Sequence, residues 1–322
     1  MAQNWLTGLF SGKSEGMSIT DLTLRLYRKT VKRFRSAHLA THWLMTHGVI
    51  PLLEKSTGFR TMPDDPFWFR LELLTNRHEG ETITHLDQLS QPGMTMLDIG
   101  AHVGYYSRRY AKILGENGRI FSFEPHPRTF ATLKHNVDRL PQVTAVQLAL
   151  AEHEGTAELH DYLMMSASGS LHYDESMVEL QKAQTHANDI APRIGQTFAA
   201  QTFTVRTTPV DAFLAARAVG QVDLVKMDIE GAEIGALRGM KQTIANSPNL
   251  VLVMEYNPQA LKAFGHDPVG ALREVQSFGF TRVEAIELDG RLTNLTDQPE
   301  HLQNLTAQLM QNMGVINLLL RK

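Results

Sequence analysis

Short apolar runs alternate with amphipathic, helix-spaced segments from residue 94 to the end of the chain. Such alternation is typical of parallel strands joined by helices that pack on the sheet. The predicted strands are 94–99, 119–124, 143–148, a short extended piece at 155–162, 203–207, 222–228, 249–255, 281–287 and 315–320. The predicted helices are 103–115, 127–139, 209–218, 232–246 and 268–278. The pattern therefore predicts a doubly wound α/β fold with a mostly parallel sheet.

Two stretches depart from this alternation and predict additions to the sheet domain. Residues 21–90 show helical spacing interrupted at Pro51 and between Pro63 and Pro66. We therefore predict an N-terminal helical cap over residues 1–90, in front of a main domain over 91–322. Residues 163–202 are rich in Ser, Met, Gln, Ala and His and break the rhythm. We predict that this segment is a partly helical insertion that forms a lid.

A glycine turn follows the first predicted strand. Residues 98–104 read D-x-G-x-x-x-G, and Glu124 ends the second predicted strand twenty residues after Gly104. We expect Gly100 to let the backbone turn sharply against a ligand, and Gly104 to let the next helix lie close to the sheet. Glu124 can accept hydrogen bonds from both hydroxyls of a ribose. Together these features predict a nucleoside-bearing cofactor at the switch point of the sheet.

Asp98 indicates which cofactor this is. It stands where dinucleotide-binding turns of the form G-x-G-x-x-G have their first glycine, and its carboxylate would repel a pyrophosphate. The same charge attracts an ammonium or sulfonium cation, so the turn predicts S-adenosylmethionine, which carries a ribose and no phosphate. The predicted cofactor-binding residues are Asp98, Gly100, Ala101, Gly104, Tyr105, Glu124 and Pro125. An NAD-dependent dehydrogenase on a Rossmann fold is the alternative that the missing glycine disfavours.

A dense polar cluster ends the strand predicted at 222–228. Strand alternation places Lys226 and Asp228 on one side, Glu230 lies just beyond the strand, and the next strand ends in Glu255. Because the carboxyl ends of neighbouring parallel strands meet at one edge, we expect Asp228 and Glu255 to lie close together. Such a pair can deprotonate a hydroxyl, orient a substrate or hold Mg²⁺ or Mn²⁺. We predict that these four residues are catalytic, with Asp228 and Glu255 as the metal ligands if a metal is used.

Five segments of the chain together resemble the FkbM-type S-adenosylmethionine methyltransferases. They read LDIGAHVGYYS, FEPHP, TPVDAFL, VDLVKMDIEGAEIGALRG and LVLVMEYNP, and the resemblance spans about residues 92–320. It implies a class I methyltransferase fold, whose sheet has seven strands with the last one antiparallel, and O-methylation of small molecules, often polyketides or sugars. The residues that match its cofactor and active-site positions are Asp98, Gly100, Gly104, Glu124, Lys226, Asp228, Glu230 and Glu255. Many relatives have a histidine after the last of these acids, where this chain has Tyr256 and Asn257.

The expected reaction is an in-line attack of an acceptor hydroxyl on the sulfonium methyl group. An alcohol attacks poorly while protonated, so we expect Asp228 or Glu255 to act as general base. Lys226 can lower the pKa of the hydroxyl or of a neighbouring group. The predicted acceptor is a sugar, a glycoside or a polyketide-like natural product. The candidate acceptor contacts in the insertion are Ser168, Ser170, His172, Tyr173 and His186.

Composition narrows the class of protein further. The net charge of −3 gives no case for nucleic-acid binding, and the absence of cysteine excludes disulfides and thiolate chemistry. No apolar run reaches the roughly 20 residues that a membrane-spanning helix needs, and residues 1–13 lack the basic start of a signal peptide. We therefore expect a cytoplasmic protein. The sequence leaves a homo-oligomer open.

The N-terminal region is basic, unlike the chain as a whole. Residues 22–53 carry six Lys or Arg side chains and no acid, and Leu24, Tyr27, Val31 and Phe34 recur at helical spacing. One interpretation is peripheral contact with an anionic membrane or an acidic partner through residues 22–45. The other is a helix that packs on the domain with a solvated basic face. The first interpretation gives an alternative function, a docking protein built on a methyltransferase fold.

Overall fold

A computed structural model describes residues 35–162, 166, 169–172 and 201–322 of the chain. Its strands are β1 (Thr95–Ile99), β2 (Arg119–Phe123), β3 (Val143–Val146), β4 (Ala149–Leu150), β5 (Gly155–Asp161), β6 (Gly169–Ser170), β7 (Gln201–Thr208), β8 (Leu224–Met227), β9 (Val251–Tyr256), β10 (Arg282–Ile286), β11 (Leu292–Asn294) and β12 (Ile316–Arg321). Its helices are α1 (Arg35–Leu44), α2 (Ile50–Thr57), α3 (Phe67–Leu74), α4 (Gly80–Leu89), α5 (Tyr105–Leu114), α6 (Pro127–Val137), α7 (Val210–Ala215), α8 (Glu233–Arg238), α9 (Lys241–Asn246), α10 (Pro258–Ala263), α11 (Pro268–Ser277) and α12 (Pro299–Asn312). A π-helical turn, Met45–Val49, joins α1 to α2. None of the helices in these ranges is long and apolar enough to cross a membrane.

The main sheet has the order β11-β10-β12-β9-β8-β1-β2-β3. The pairs β1–β2, β2–β3, β1–β8 and β8–β9 are parallel, whereas β12 is antiparallel to both β9 and β10. Seven of these strands are the predicted ones, and the last strand of the chain is antiparallel as expected. The eighth, β11, is a three-residue strand at the sheet edge that the hydrophobic pattern does not reveal. The chain reverses direction across the sheet between β1 and β8, which creates the switch point.

A second, smaller sheet has the order β4-β7-β5-β6. The two extended segments predicted at 155–162 and 203–207 pair antiparallel with each other as β5 and β7. The predicted insertion, 163–202, therefore ends earlier than expected, because Gln201 and Thr202 already belong to β7. Within it, Gly169–Ser170 pairs with β5 as β6. The predicted helical content of the insertion falls on residues outside the described ranges.

The central strands are buried on both faces, which explains why they read as continuous apolar runs. In β1, the residues from Met96 to Ile99 are buried. One face of the sheet packs against helices α7 to α12, and the other packs against α2 to α5. Ile50, Leu73 and Leu86 of the N-terminal helices belong to the same core cluster as Met96 of β1. The helical segment before the sheet therefore shares the core of the main domain.

The helix predicted over 232–246 is two helices, and a glycine explains the break. α8 ends at Arg238 and α9 begins at Lys241. A Cβ atom on Gly239 would lie 2.2 Å from the backbone oxygen of Ala151, so the chain needs glycine where the two segments cross. Helices α10 and α12 were not predicted. Both begin with a proline, the residue that suits the first turn of a helix.

Candidate active site

The glycine turn after β1 packs tightly against the end of β8. Gly100 has a φ of +81°, and a Cβ atom there would lie 1.8 Å from the carbonyl oxygen of Asp228. The neighbouring strand end therefore excludes a side chain at position 100, and the expected close approach of a ligand to this turn stays a prediction. Gly104 has a φ of +86°, and its Cβ would lie 2.7 Å from the side chain of Leu133 in α6. Its small size thus serves packing between α5 and α6 rather than packing of α5 on the sheet.

Replacing Gly100 with alanine is expected to destabilise the protein. The left-handed backbone and the overlap with the Asp228 carbonyl together cost about 2–5 kcal/mol of the free energy of unfolding. Gly93 is a matched control, since its φ is +86° and a Cβ atom there would have no neighbour within 4 Å. Urea denaturation should show a loss of only about 1–2 kcal/mol for Gly93→Ala. Equal losses in the two variants would contradict the steric argument.

Glu124 lies at the carboxyl end of β2, and its carboxylate is held by the backbone. The amide of His102 donates to Oε2 and the amide of His126 donates to Oε1, both at 2.9 Å. Burial raises the pKa of Glu124 to about 8, and these two hydrogen bonds oppose the rise. Each carboxylate oxygen keeps a lone pair free from these backbone contacts. The group can therefore accept two further hydrogen bonds, the number that a ribose diol donates.

Asp98 is buried in β1, where it fixes the position of α5. The Ser107 hydroxyl donates to Asp98 Oδ2, and the hydroxyls of Ser107 and Ser122 lie 2.6 Å apart. Burial raises the pKa of Asp98 to about 6, while the Ser107 hydrogen bond and the charge of Lys226 act in the opposite direction. The sequence did not predict the contacts of these two serines, because the residue type and its position on a helix or strand do not show which group the hydroxyl contacts.

The remaining predicted cofactor residues surround the same turn. The amide of Ala101 donates to the carbonyl of Phe123 at 2.9 Å, which joins the turn to the end of β2. Tyr105 is buried, and its hydroxyl donates to the backbone oxygen of His78 at 3.2 Å. Pro125 is partly exposed and follows Glu124 directly. The structure thus brings these residues together, and their contacts with the cofactor stay a prediction.

Three carboxylates converge at the carboxyl ends of β8 and β9. Asp228, Glu230 and Glu255 each offer an oxygen, and these oxygens lie within 4.8 Å of one another. Burial and repulsion from Asp228 and other nearby acids raise the pKa of Glu230 to about 8 and the pKa of Glu255 well above its usual range. Asp228 and Glu255 lie close together, as predicted from the two strand ends that meet at this edge of the sheet. Glu230 lies beside them, and the chain turns at this residue with a φ of +52°. We call these three residues the acidic group.

Lys226 supplies a buried cation beside the acidic group. Its Nζ lies 3.3 Å from Asp228 Oδ2, 3.2 Å from Asn317 Oδ1 and 3.6 Å from Glu79 Oε2. Burial lowers the pKa of Lys226, but Glu79, Asp228 and Glu255 outweigh that effect and raise it above its usual range. The side chain is 2% exposed and carries its charge at neutral pH. Lys226 therefore holds Asp228 in place electrostatically.

Glu79 is the partner of Lys226 that sequence reasoning missed. It precedes α4 with a φ of +50°, and it accepts hydrogen bonds from the Tyr106 hydroxyl and, at 3.1 Å, from Asn317 Nδ2. Burial raises the pKa of Glu79, but the Lys226 charge prevails and lowers it to about 2. No spacing rule connects this acid with a motif so far along the chain.

Ser166 connects the predicted insertion with the cofactor turn. Its amide and hydroxyl donate to Asp65 at 2.7 and 2.6 Å, and the same hydroxyl oxygen is hydrogen bonded to His102 Nε2. Burial lowers the pKa of His102 to about 3, so its ring is neutral. Because the serine hydroxyl donates its hydrogen bond to Asp65, its oxygen acts as the acceptor for His102 Nε2–H. Neither Asp65 nor His102 was singled out from the sequence.

Two of the predicted acceptor contacts lie next to the acidic group. The Ser170 hydroxyl donates to the backbone oxygen of Glu230 at 3.2 Å, and the His172 amide donates to Ser170 Oγ at 3.2 Å. The His172 ring lies against Phe264, with ring centroids 5.5 Å apart. Ser168, Tyr173 and His186 lie outside the described residues. Tyr256 is buried with its hydroxyl 2.8 Å from that of Thr306, and Asn257 caps α10, so neither replaces the histidine of many relatives.

The strand order, the antiparallel last strand and the acids at the ends of β1 and β2 define a class I S-adenosylmethionine-dependent methyltransferase. Residues 98–283 match the Methyltransferase FkbM domain, and the chain belongs to this family. This membership decides against the NAD-dependent alternative.

Two relatives show how far the similarity extends. The chain is 26% identical over 179 residues to the 2-O-methyltransferase NoeI of Sinorhizobium fredii, which covers 54% of this chain and 67% of that protein. It is 27% identical over 177 residues to the hexuronic acid methyltransferase AglP of Haloferax volcanii, which covers 55% of this chain and 62% of that one. The similarity thus spans about two thirds of these relatives. A solved S-adenosylmethionine-dependent methyltransferase from Aquifex aeolicus aligns over 84% of this chain and 97% of that one, with a TM-score of 0.39 and 14% identity.

Proposed function

We propose that this methyltransferase transfers a methyl group to a hydroxyl of a small molecule of the sugar, glycoside or polyketide type. The observation that carries the proposal is the convergence of Asp228, Glu230 and Glu255 beside Lys226. An acceptor hydroxyl needs a base, and a group of three acids provides one. The names of the two relatives, a 2-O-methyltransferase and a hexuronic acid methyltransferase, point to sugar-like acceptors.

The residues around the turn suit the cofactor of the family. When bound, S-adenosylmethionine supplies an electrophilic methyl group on a sulfonium. Glu124 would hold the ribose hydroxyls, since each of its oxygens accepts only one backbone hydrogen bond. The buried carboxylate of Asp98 gives this edge of the sheet the negative charge that a cationic cofactor favours, and a pyrophosphate does not. The residues present therefore fit S-adenosylmethionine.

Asp228 is the general base in this proposal. Its side chain is 33% exposed and lies against the Lys226 ammonium, whereas burial and neighbouring acids raise the pKa values of Glu230 and Glu255. Of the three acids, we assign the base to Asp228 because its carboxylate is accessible and lies beside a fixed cation. Lys226 keeps that carboxylate oriented, and its charge favours ionisation of the hydroxyl. Ser170 and His172, at the edge of the proposed lid, would contact the acceptor from the opposite side.

The acidic group is also the part of the described chain that could hold Mg²⁺ or Mn²⁺. Oxygen ligands suit both ions, and a bound cation would relieve the repulsion among the three acids. We expect Mn²⁺ to raise the melting temperature and EDTA to reverse the rise, because an ion at 100 times its Kd stabilises a protein by about 2.7 kcal/mol. The effect should be lost in Glu230→Gln and kept in Glu158→Gln, an exposed control on β5. An unchanged melting temperature would mean that the acids work without a metal.

The function can be tested with S-adenosylmethionine labelled in the methyl group. The full chain is incubated with panels of sugars, glycosides and hydroxylated polyketides, and the products are treated with mild alkali. We expect labelled products that survive alkali, because methyl ethers resist it and methyl esters do not. Label released as methanol would identify carboxyl methylation and overturn the proposal. No labelled product with any panel, although the cofactor binds, would also count against it.

A further inference from the structure

The helical rod formed by α1, the π-helical turn and α2 is anchored to the protein along one side. Ile50 is fully buried, and Met45 and Leu53 pack against the same core. His42 adds an edge-to-face contact with Phe67, with ring centroids 5.9 Å apart. The exposed positions recur every three or four residues along the opposite side. The rod therefore has one fixed face and one free face.

The free face is apolar. Leu39, Trp43, Leu44 and Leu52 are 46%, 63%, 52% and 68% exposed, and they are four of the seven large apolar side chains exposed in the described ranges. Leu39 and Trp43 are one turn apart, and the π-helical turn brings Leu52 back into line with Leu44. The Trp43 ring stacks on His47 with centroids 5.3 Å apart. We call the four apolar residues the exposed stripe.

The sequence on both sides of the exposed stripe is basic. The six cations of residues 22–53 are Arg25, Arg28, Lys29, Lys32, Arg33 and Arg35, which precede the stripe directly, and Lys55 follows it. Glu54 is the nearest acid after the stripe, and it is turned inward. It accepts hydrogen bonds from the Thr61 amide at 2.9 Å and from Arg70 at 3.2 Å. The exposed stripe is therefore apolar, and the sequence that precedes it carries an excess of cations.

We propose that the exposed stripe docks on an anionic lipid membrane. Apolar side chains with an exposed tryptophan enter the boundary between headgroups and acyl chains, and Lys or Arg side chains near the membrane surface are attracted to anionic lipid. Tryptophan is favoured at this depth because its ring is apolar and its N–H is polar. A second copy of the chain is the alternative occupant of an apolar stripe, and the experiment below distinguishes it from a membrane.

The test uses the full chain and vesicles of phosphatidylcholine, with or without 30% phosphatidylglycerol. We expect the protein to sediment with the anionic vesicles and not with the neutral ones. The double variant Trp43→Glu/Leu52→Glu should bind at least tenfold more weakly. Leu288→Glu is the matched control, because Leu288 is 60% exposed in the turn between β10 and β11. It should bind as the unaltered chain does. All variants should keep their affinity for S-adenosylhomocysteine, which shows that they are folded.

Three results would overturn the proposal. The first is that the intact chain binds neither kind of vesicle, or both alike. The second is that the double variant binds as well as the Leu288 control. The third is that the intact chain elutes as a dimer, the double variant elutes as a monomer, and neither binds vesicles. That result would make the exposed stripe an interface between copies of the chain.

Discussion

Replacing Asp228 with asparagine is expected to lower the kcat of methyl transfer by about 10²–10⁴-fold, the usual contribution of a general base. The amide has the shape of the carboxylate but cannot accept the proton of the hydroxyl. Lys226 keeps Glu79 and Asn317 as partners in the variant, so we expect the fold to survive. The rate is measured by release of S-adenosylhomocysteine at saturating acceptor.

The control for this prediction is Asp289→Asn, which removes a surface carboxylate paired with Arg291. That variant should retain its activity. Calorimetry should give the same Kd for S-adenosylhomocysteine in both variants, since the proposed role of Asp228 concerns the acceptor. If Asp228→Asn keeps full activity, the base is another member of the acidic group. Glu255→Gln would then be the variant that loses the reaction.

Replacing Glu124 with glutamine is expected to weaken cofactor binding by about 10–100-fold. A hydrogen bond to a charged group contributes about 1.5–3 kcal/mol. The glutamine side chain has only one acceptor oxygen, which cannot serve both backbone amides and the ribose. Its nitrogen would also face an amide donor. The Kd for S-adenosylmethionine is measured by calorimetry. Glu158→Gln, on the exposed side of β5, should bind like the unaltered chain.

Glu124 should also make cofactor binding depend on pH. Its pKa of about 8 means that the free protein carries a proton on this group at pH 7. In the complex, two backbone amides and two ribose hydroxyls would donate to this group, and four donors require the ionised carboxylate. Cofactor binding must therefore release the proton, so the affinity should rise with pH until it levels off above about pH 8. Asp98, with a pKa of about 6, is already ionised over this window. A titration from pH 7 to 9 that is equally steep in Glu124→Gln would assign the dependence to another group.

Much of the fold could be predicted because its signals are local. Each buried strand is a short apolar run, and most crossover helices show helical spacing of their apolar residues, so the positions of the seven strands along the chain could be predicted. β11 was missed because three residues are too few to show alternation, and α12 lies in a stretch where no element was predicted. The break between α8 and α9 depends on contact with Ala151, which no pattern within the helix reveals.

The candidate site divides in the same way. Asp98, Glu124, Asp228 and Glu255 were predictable, since strand ends at one sheet edge must lie near one another. Glu79, Asn317, Asp65 and Ser166 were not, because each reaches the site from an element whose position is set only by packing. The sequence also could not show that the protein's own backbone, at the end of β8, excludes a side chain at Gly100.

The contact between Glu79 and Lys226 restricts which truncations and chimaeras of this enzyme can fold. A fragment beginning at residue 91 would lose that carboxylate and leave a buried ammonium with one fewer counter-ion. Chimaeras that exchange the first 90 residues with those of a relative, in order to change acceptor preference, face the same constraint. Asn317 bridges both groups from the last strand, so an acid at 79 and an amide at 317 should be transplanted as a pair.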